Sequence, residues 1–110
     1  MESKYKYQFT KKAKVDLDDI INYIAIELSN SKAASDFLDK LQRILEETVS
    51  FPESGSLVHN EFLPNLGIRK KPIDNYIMYY LHNFTEKSIL VLRIIYGRRN
   101  IEEMIRKLVW

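Results

Sequence analysis

The chain begins with a segment in which polar and aromatic positions alternate. Tyr5, Tyr7 and Phe9 fall on one side of an extended backbone between Lys4 and Thr10. A period of two residues is typical of a half-buried strand, because successive side chains of a strand point to opposite faces. The segment therefore predicts an N-terminal strand.

From about Lys11 the apolar residues take helical spacing, and two amphipathic helices follow one another. Thr10 is the predicted N-cap of the first helix, and the polar segment 29–31 separates it from the second, which begins near Lys32. Pro52 ends the second helix before residue 51. The apolar stripe of the first helix consists of Ala13, Leu17, Ile20, Ile21, Ile24 and Leu28, and that of the second of Ala34, Phe37, Leu38, Leu41, Ile44, Leu45 and Val49. Each stripe covers one side of its helix, so each helix needs a surface to pack on.

The second half of the chain is dominated by strand patterns. A short strand is predicted over residues 68–71, where Pro72 limits it or places it near a sheet edge. Longer strands cover 75–83 and 88–96, joined by a connection of hairpin length. A final helix is predicted with Asn100 as its N-cap and with Ile101, Met104, Ile105 and Leu108 on its apolar side.

This order of elements predicts one domain covering residues 1–110. A strand, a helical hairpin, three strands and a helix make a two-layer α+β fold. In it, the N-terminal strand and the helical hairpin pack on a mostly antiparallel sheet, and a short C-terminal helix follows.

Composition excludes several classes of function. The sequence has no cysteine, which removes disulfides, thiolate catalysis and cysteine-based metal sites. Its two histidines, His59 and His82, lie on different predicted elements, so no metal site and no cofactor are expected. No apolar run approaches the roughly 18 residues that span a bilayer, and the first residues contain no apolar signal region. We therefore expect a cytoplasmic protein without a membrane partner.

Charge is distributed unevenly along the chain. Residues 1–50 carry eight Lys and Arg against nine Asp and Glu, whereas residues 51–110 carry nine against six. The basic residues of the second half that lie on or beside predicted strands are Arg69, Lys70, Lys71, Arg93, Arg98 and Arg99. In an antiparallel sheet these side chains can converge on one concave face. Such a patch suits the acidic segment of a protein partner or a nucleic-acid backbone equally well.

Other polar clusters are assigned structural roles. Asp16, Asp18 and Asp19 lie near the start of the first predicted helix, where carboxylates favour the positive end of the helix dipole. Tyr76 and Tyr80 share one face of their strand and Tyr79 lies on the other, which indicates packing on the sheet. The functional alternative is an exposed tyrosine ring that stacks on a base.

Five blocks of sequence occur in an order that resembles the RelE/ParE superfamily of bacterial toxins from type II toxin–antitoxin modules. They are AKVDLDDIINYI at 13–24, FPESG at 51–55, LGIRKKPI at 66–73, YIMYY at 76–80 and VLRIIYGRRN at 91–100. Together they extend over residues 13–100, which is most of the length of the chain.

The resemblance implies one of two functions. RelE-like members cleave mRNA in the ribosomal A site and usually carry an arginine on the middle strand and a tyrosine or histidine near the C-terminus. Here Ile77 occupies the corresponding strand position, and no tyrosine or histidine follows Arg99. The remaining catalytic candidates are Arg69, Arg98 and Tyr96.

ParE-like members instead inhibit DNA gyrase through a protein–protein contact that needs no catalytic groups. The segment 67–73, the paired tyrosines and the strand ending in Tyr-Gly-Arg-Arg-Asn are closer to this branch. The resemblance also implies a cognate antitoxin with a disordered acidic segment that folds on binding. It would bind the basic residues named above. We therefore expect a ParE-like gyrase inhibitor, with a ribosome-dependent mRNA interferase as the alternative, and whether the protein is an enzyme stays open.

Overall fold

The computed structural model describes residues 6–58 and 67–97. Its elements are β1 (Lys6–Phe9), α1 (Lys11–Asn22), a π-helical turn (Tyr23–Glu27), α2 (Ser31–Ser50), β2 (Ser56–Leu57), β3 (Arg69–Ile73), β4 (Tyr76–Asn83) and β5 (Ser88–Tyr96). The predictions for His59, Arg98, Arg99 and the C-terminal helix lie outside the described residues.

The five strands form one sheet in the order β1-β5-β4-β3-β2. β1 runs parallel to β5, and the other neighbours are antiparallel. The two helices pack on one face of this sheet, where buried residues of α1, α2, β4 and β5 form the main core. The predicted α+β class and the mostly antiparallel sheet are confirmed.

Thr10 joins β1 to α1. Its hydroxyl accepts a hydrogen bond from the backbone N–H of Ala13 at 3.0 Å, as the predicted N-cap requires. The same hydroxyl donates to the carbonyl of Leu92 at 2.8 Å. The start of α1 is therefore fixed to β5 as well as capped.

The end of the first helix differs from its prediction. Leu28 belongs to the predicted apolar stripe of this helix but is 55% exposed. Its N–H bonds to the carbonyl of Tyr23, five residues back, at 3.0 Å. A π-helical turn holds more residues than an α-turn, so Leu28 rotates away from the buried stripe. Ser29 then reverses the chain with φ of 47°, and Asn30 caps α2 through the N–H of Ala33.

The second helix ends before Phe51, as predicted. The prediction of its buried stripe is wrong at one residue. Its buried positions are Ala34, Phe37, Leu41, Leu45 and Thr48. These follow spacings of three and four residues, which place them on one side of the helix. Leu38 lies at the flank of that stripe and is 43% exposed.

The predicted short strand is longer than expected. β3 continues through Pro72 to Ile73. β2, which the sequence did not predict, pairs only with Arg69 and Lys70. Beyond Lys70 the strand has no described neighbour on that side, so the missing N–H of Pro72 breaks no ladder there.

The two central strands are buried on both faces. Met78, Tyr80, Ile89, Val91 and Ile94 face the helices. A smaller buried cluster on the opposite face contains Ile68, Tyr79, Leu92 and Ile95. Tyr80 pairs with Val91 and Tyr79 with Arg93, so Leu92 is the extra residue of a β-bulge.

Candidate functional site

Arg69, a predicted binding and catalytic residue, holds the loop after α2. Its Nη1 donates to the carbonyls of Gly55 at 2.7 Å and Glu53 at 3.0 Å. Nη2 lies 3.9 Å from the Glu53 carboxylate. Arg69 pairs with Tyr80 across the sheet, on the face that carries the helices. Its guanidinium is therefore occupied by contacts within the chain.

Lys71 lies on the same face and is also used internally. Its Nζ is 2.6 Å from Oε1 of Glu47 on α2, and the lysine is buried. The hydrogen bond from Lys71 and its positive charge lower the pKa of the Glu47 carboxyl below its ordinary value. This pair connects the second helix to β3.

Arg93 is bound by an aspartate of the first helix. Nε of Arg93 donates to Oδ2 of Asp16 at 2.7 Å, and Nη2 donates to Oδ1 at 2.9 Å. The assignment of Asp16, Asp18 and Asp19 to the helix dipole was wrong, because no acidic residue lies in the first turn of α1 and the effect of the dipole fades beyond that turn.

The expectation that the basic side chains converge on one face was therefore wrong for the described residues. Arg69 and Lys71 point toward the helices, whereas side chains alternate along a strand, so Lys70 between them points to the opposite face. The guanidinium of Arg93 is bound by Asp16 of α1. Lys70 is the one predicted binding residue in the described part of the chain that forms no ion pair or side-chain hydrogen bond with another residue there.

Tyr96 ends β5 and is partly exposed. Its ring meets that of Tyr76 edge to face, with 5.9 Å between centroids. Burial, and then the neighbouring Tyr23 and Tyr96, raise the pKa of Tyr76. The register separates Tyr96 from Arg69 by two strands and four positions, about 10 Å across the sheet and 13 Å along it. These two catalytic candidates are not brought together.

The other strand tyrosines are core residues, as predicted. Tyr80 is fully buried, donates its hydroxyl to the carbonyl of Pro52 at 2.8 Å and accepts from the N–H of Gly55 at 3.0 Å. Tyr79 is buried on the opposite face. Burial raises the pKa of both phenols. Neither ring is available to stack on a base.

A groove of about 570 Å³ lies between the loop after α2 and the hairpin of β4 and β5. Phe51 and Phe84 contribute largely exposed rings to it. The imidazole of His82 lies against Phe84, with 3.8 Å between ring centroids. Burial is the main cause that lowers the pKa of His82. The sequence patterns did not predict this groove, because its residues come from segments about 30 positions apart.

The described part of the chain contains neither a group of metal-binding side chains nor a membrane-spanning helix. Within residues 6–58 and 67–97, no three His, Cys, Asp or Glu side chains are grouped so that they could bind a metal ion. In the same ranges, no helix has the length and the apolar character that crossing a bilayer requires.

Comparison with known proteins gives three matches. The model of the family described as the ParE toxin of the type II toxin–antitoxin system parDE matches residues 7–101. The fold is similar to a chain of the chromosomal ParDE toxin–antitoxin system from P. aeruginosa, with a TM-score of 0.65 and 20% identity over 86% of this chain and 98% of that chain. It is also similar to a chain of the toxin–antitoxin complex RelBE2 from Mycobacterium tuberculosis, with a TM-score of 0.57 and 15% identity over 84% of this chain and 96% of that one. A search of curated proteins found no significant match.

Proposed function

This chain belongs to the ParE toxin family of type II toxin–antitoxin systems, and on that premise we propose that it inhibits DNA gyrase by binding to it and that a cognate antitoxin neutralises it. The observation that carries this proposal is the family match over residues 7–101. The structural similarity to the ParDE chain extends over 98% of that chain, which supports the proposal further.

The positions of the basic residues favour inhibition by binding over catalysis. Cleavage of RNA needs cationic groups that are free to stabilise charge developing on a phosphate. Arg69 and Arg93 already bind carbonyl or carboxylate oxygens of the chain. Tyr96 lies far from Arg69 in the register of the sheet. A binding inhibitor requires none of these groups to be free.

A ribosome-dependent mRNA interferase is the second candidate. It is favoured by the partly exposed phenol of Tyr96, which ends β5 two residues before Arg98 in the sequence. In this alternative, Tyr96 and Arg98 act on the RNA and Arg69 supports the fold.

The antitoxin proposal follows from the family and from the two similar structures, which are a toxin–antitoxin system and a toxin–antitoxin complex. We assign direct contact with its acidic segment to Lys70, Arg98 and Arg99. Arg69, Lys71 and Arg93 would contribute indirectly, by holding the loop and helices against the sheet.

Two assays in parallel test the target. Purified toxin, free of antitoxin, is added to gyrase supercoiling reactions and to ribosomes programmed with mRNA. Lost supercoiling with intact mRNA is the expected result. Cut mRNA with normal supercoiling would replace the proposal with the second candidate, and Tyr96→Phe should then abolish cleavage.

A lysine pair tests the antitoxin contact. Lys70→Ala should weaken antitoxin binding about threefold to tenfold, with a smaller salt dependence, because one charge contact is lost. The control is Lys14→Ala, which removes an exposed lysine from α1. Equal affinities for the two variants would remove Lys70 from the interface.

A further inference from the structure

Three large apolar side chains are exposed where the first helix ends. Tyr23 is 50% exposed, Ile26 69% and Leu28 55%. We call these three residues the hairpin end. Single exposed apolar residues are normal on a monomer, but several within six positions indicate an interaction surface.

The backbone of this segment departs from α-helical geometry. Residues Tyr23–Glu27 form a π-helical turn, closed by the bond from the N–H of Leu28 to the carbonyl of Tyr23. Continued α-helical spacing would place Leu28 on the buried stripe, four residues after Ile24. The wider turn therefore produces an exposed leucine. Such turns occur frequently at functional sites.

The sequence segment that contains the hairpin end carries only acidic charges. Residues 15–31 contain four carboxylates and no Lys or Arg, in a chain with a net charge of +2. Asp16 is neutralised by Arg93, which leaves Asp18, Asp19 and Glu27 exposed. Lys32, the next basic residue, lies 3.0 Å from Asp36.

We propose that the hairpin end docks on a basic protein surface that offers an apolar pocket, and that this surface belongs to the target enzyme. The inference rests on the proposed function in taking the target to be a protein. An acidic rim attracts a basic partner and repels an acidic antitoxin segment. The toxin therefore uses different surfaces for its two partners: the acidic hairpin end for the target, and the surface around Lys70 for the antitoxin.

A matched pair of substitutions tests the apolar contact. Ile26→Ser removes an apolar side chain that is 69% exposed, and Phe84→Ser removes one that is 66% exposed on the β4–β5 hairpin. We expect Ile26→Ser to raise the toxin concentration needed for half inhibition of supercoiling at least about tenfold, since it removes an apolar anchor. Phe84→Ser should change it less than about twofold. Circular dichroism on both variants checks that they are folded.

Charge reversal tests the chemistry of the partner. Asp19→Lys combined with Glu27→Lys should weaken inhibition more at low than at high salt, because a basic surface is then repelled. Glu46→Lys on the exposed side of α2 is the control. Equal effects of the two changes would overturn the assignment to a basic partner.

The outcomes separate this inference from the proposed function. If wild-type toxin inhibits supercoiling and Ile26→Ser inhibits it equally well, the docking surface is wrong and the proposed function stands. If wild-type toxin arrests growth without affecting gyrase and Ile26→Ser relieves the arrest, gyrase is wrong and the docking surface stands. A wild-type toxin without either activity overturns both.

Two further results would assign the surface to another occupant and overturn the inference. In one, the wild-type protein sediments as a dimer, and Ile26→Ser sediments as a monomer but inhibits as well as wild type; the surface would then bind a second copy of the chain. The other is loss of antitoxin binding in Ile26→Ser with unchanged inhibition.

Discussion

Asp16 accepts a backbone hydrogen bond from Ile94 of β5 just beyond the point where β1 stops. β1 pairs with β5 only as far as Phe9 and Val91. Beyond it, Oδ2 of Asp16 accepts from the N–H of Ile94 at 3.0 Å and from Nε of Arg93 at 2.7 Å. The hydrogen bond that Arg93 donates to Asp16 is the main cause that raises the pKa of Arg93. One carboxylate thus covers part of an open strand edge and joins residues 77 positions apart.

Asp16→Asn should lower the free energy of unfolding by about 2 kcal/mol, because it leaves a mostly buried guanidinium without its counter-charge. Asp16→Ala should cost about 3 kcal/mol, since the N–H of Ile94 then also loses its acceptor. Urea denaturation measures both. The control is Asp36→Asn, whose exposed pair with Lys32 contributes less than about 0.5 kcal/mol. An Asp16→Asn variant as stable as that control would contradict the prediction.

The two N-caps should differ in strength. Asn30→Ala removes one cap bond and should cost about 1 kcal/mol. Thr10→Ala removes a cap bond and the bond to Leu92, so we expect about 2 kcal/mol. Thr10→Ser retains the hydroxyl and should stay within about 0.5 kcal/mol of wild type. Thermal unfolding of the three variants gives the order, and equal losses for both alanine variants would show that the bond to Leu92 contributes nothing.

Gly55 is held where a side chain does not fit. A Cβ there would lie 2.6 Å from the Tyr80 hydroxyl oxygen and 2.8 Å from the Lys70 carbonyl oxygen. Gly55→Ala should therefore destabilise the protein by about 1–3 kcal/mol, as overpacking of a core does. Denaturant unfolding measures the loss.

Tyr80→Phe provides the control for that glycine. It removes the hydroxyl that Gly55→Ala would strike, so the glycine substitution should cost less in the phenylalanine background than in wild type. The contact with the Lys70 carbonyl remains, so part of the cost should persist. Strict additivity of the two substitutions would show that the hydroxyl is not what excludes a side chain.

Stability should depend on pH through Glu47. Its folded-state pKa is lowered by Lys71, so the contribution of the pair is present above the unfolded pKa near 4.5 and is lost as pH falls through the folded value. Wild type should therefore exceed Glu47→Gln in stability at pH 7, by less than about 1 kcal/mol for a carboxylate this exposed. The difference should shrink as pH falls below about 4.5. The control is Glu46→Gln, which leaves the carboxylate of Glu47 in place and should not lose the stability that Glu47→Gln loses at pH 7. Urea denaturation at several pH values measures the stability of all three proteins.

Local patterns in the sequence were sufficient for most of the elements. The alternation around Tyr7, the helical stripes and the cap at Thr10 each depend on residues a few positions apart, so β1, α1, α2, β4 and β5 could be predicted from them. The order of these elements then indicated the fold class. The same patterns missed β2, because two residues are too short to show a period.

The tertiary structure decided how the charged residues are used. Arg69, Lys71 and Arg93 looked alike in the sequence, as basic residues on strands. Their partners lie 14 to 77 positions away and are chosen by sheet register and by which helix crosses which strand. The exposed position of Leu28 likewise depends on one π-helical hydrogen bond that apolar spacing does not reveal. Sequence determined the elements because their causes are local, whereas the site depended on contacts that exist only after the elements have packed.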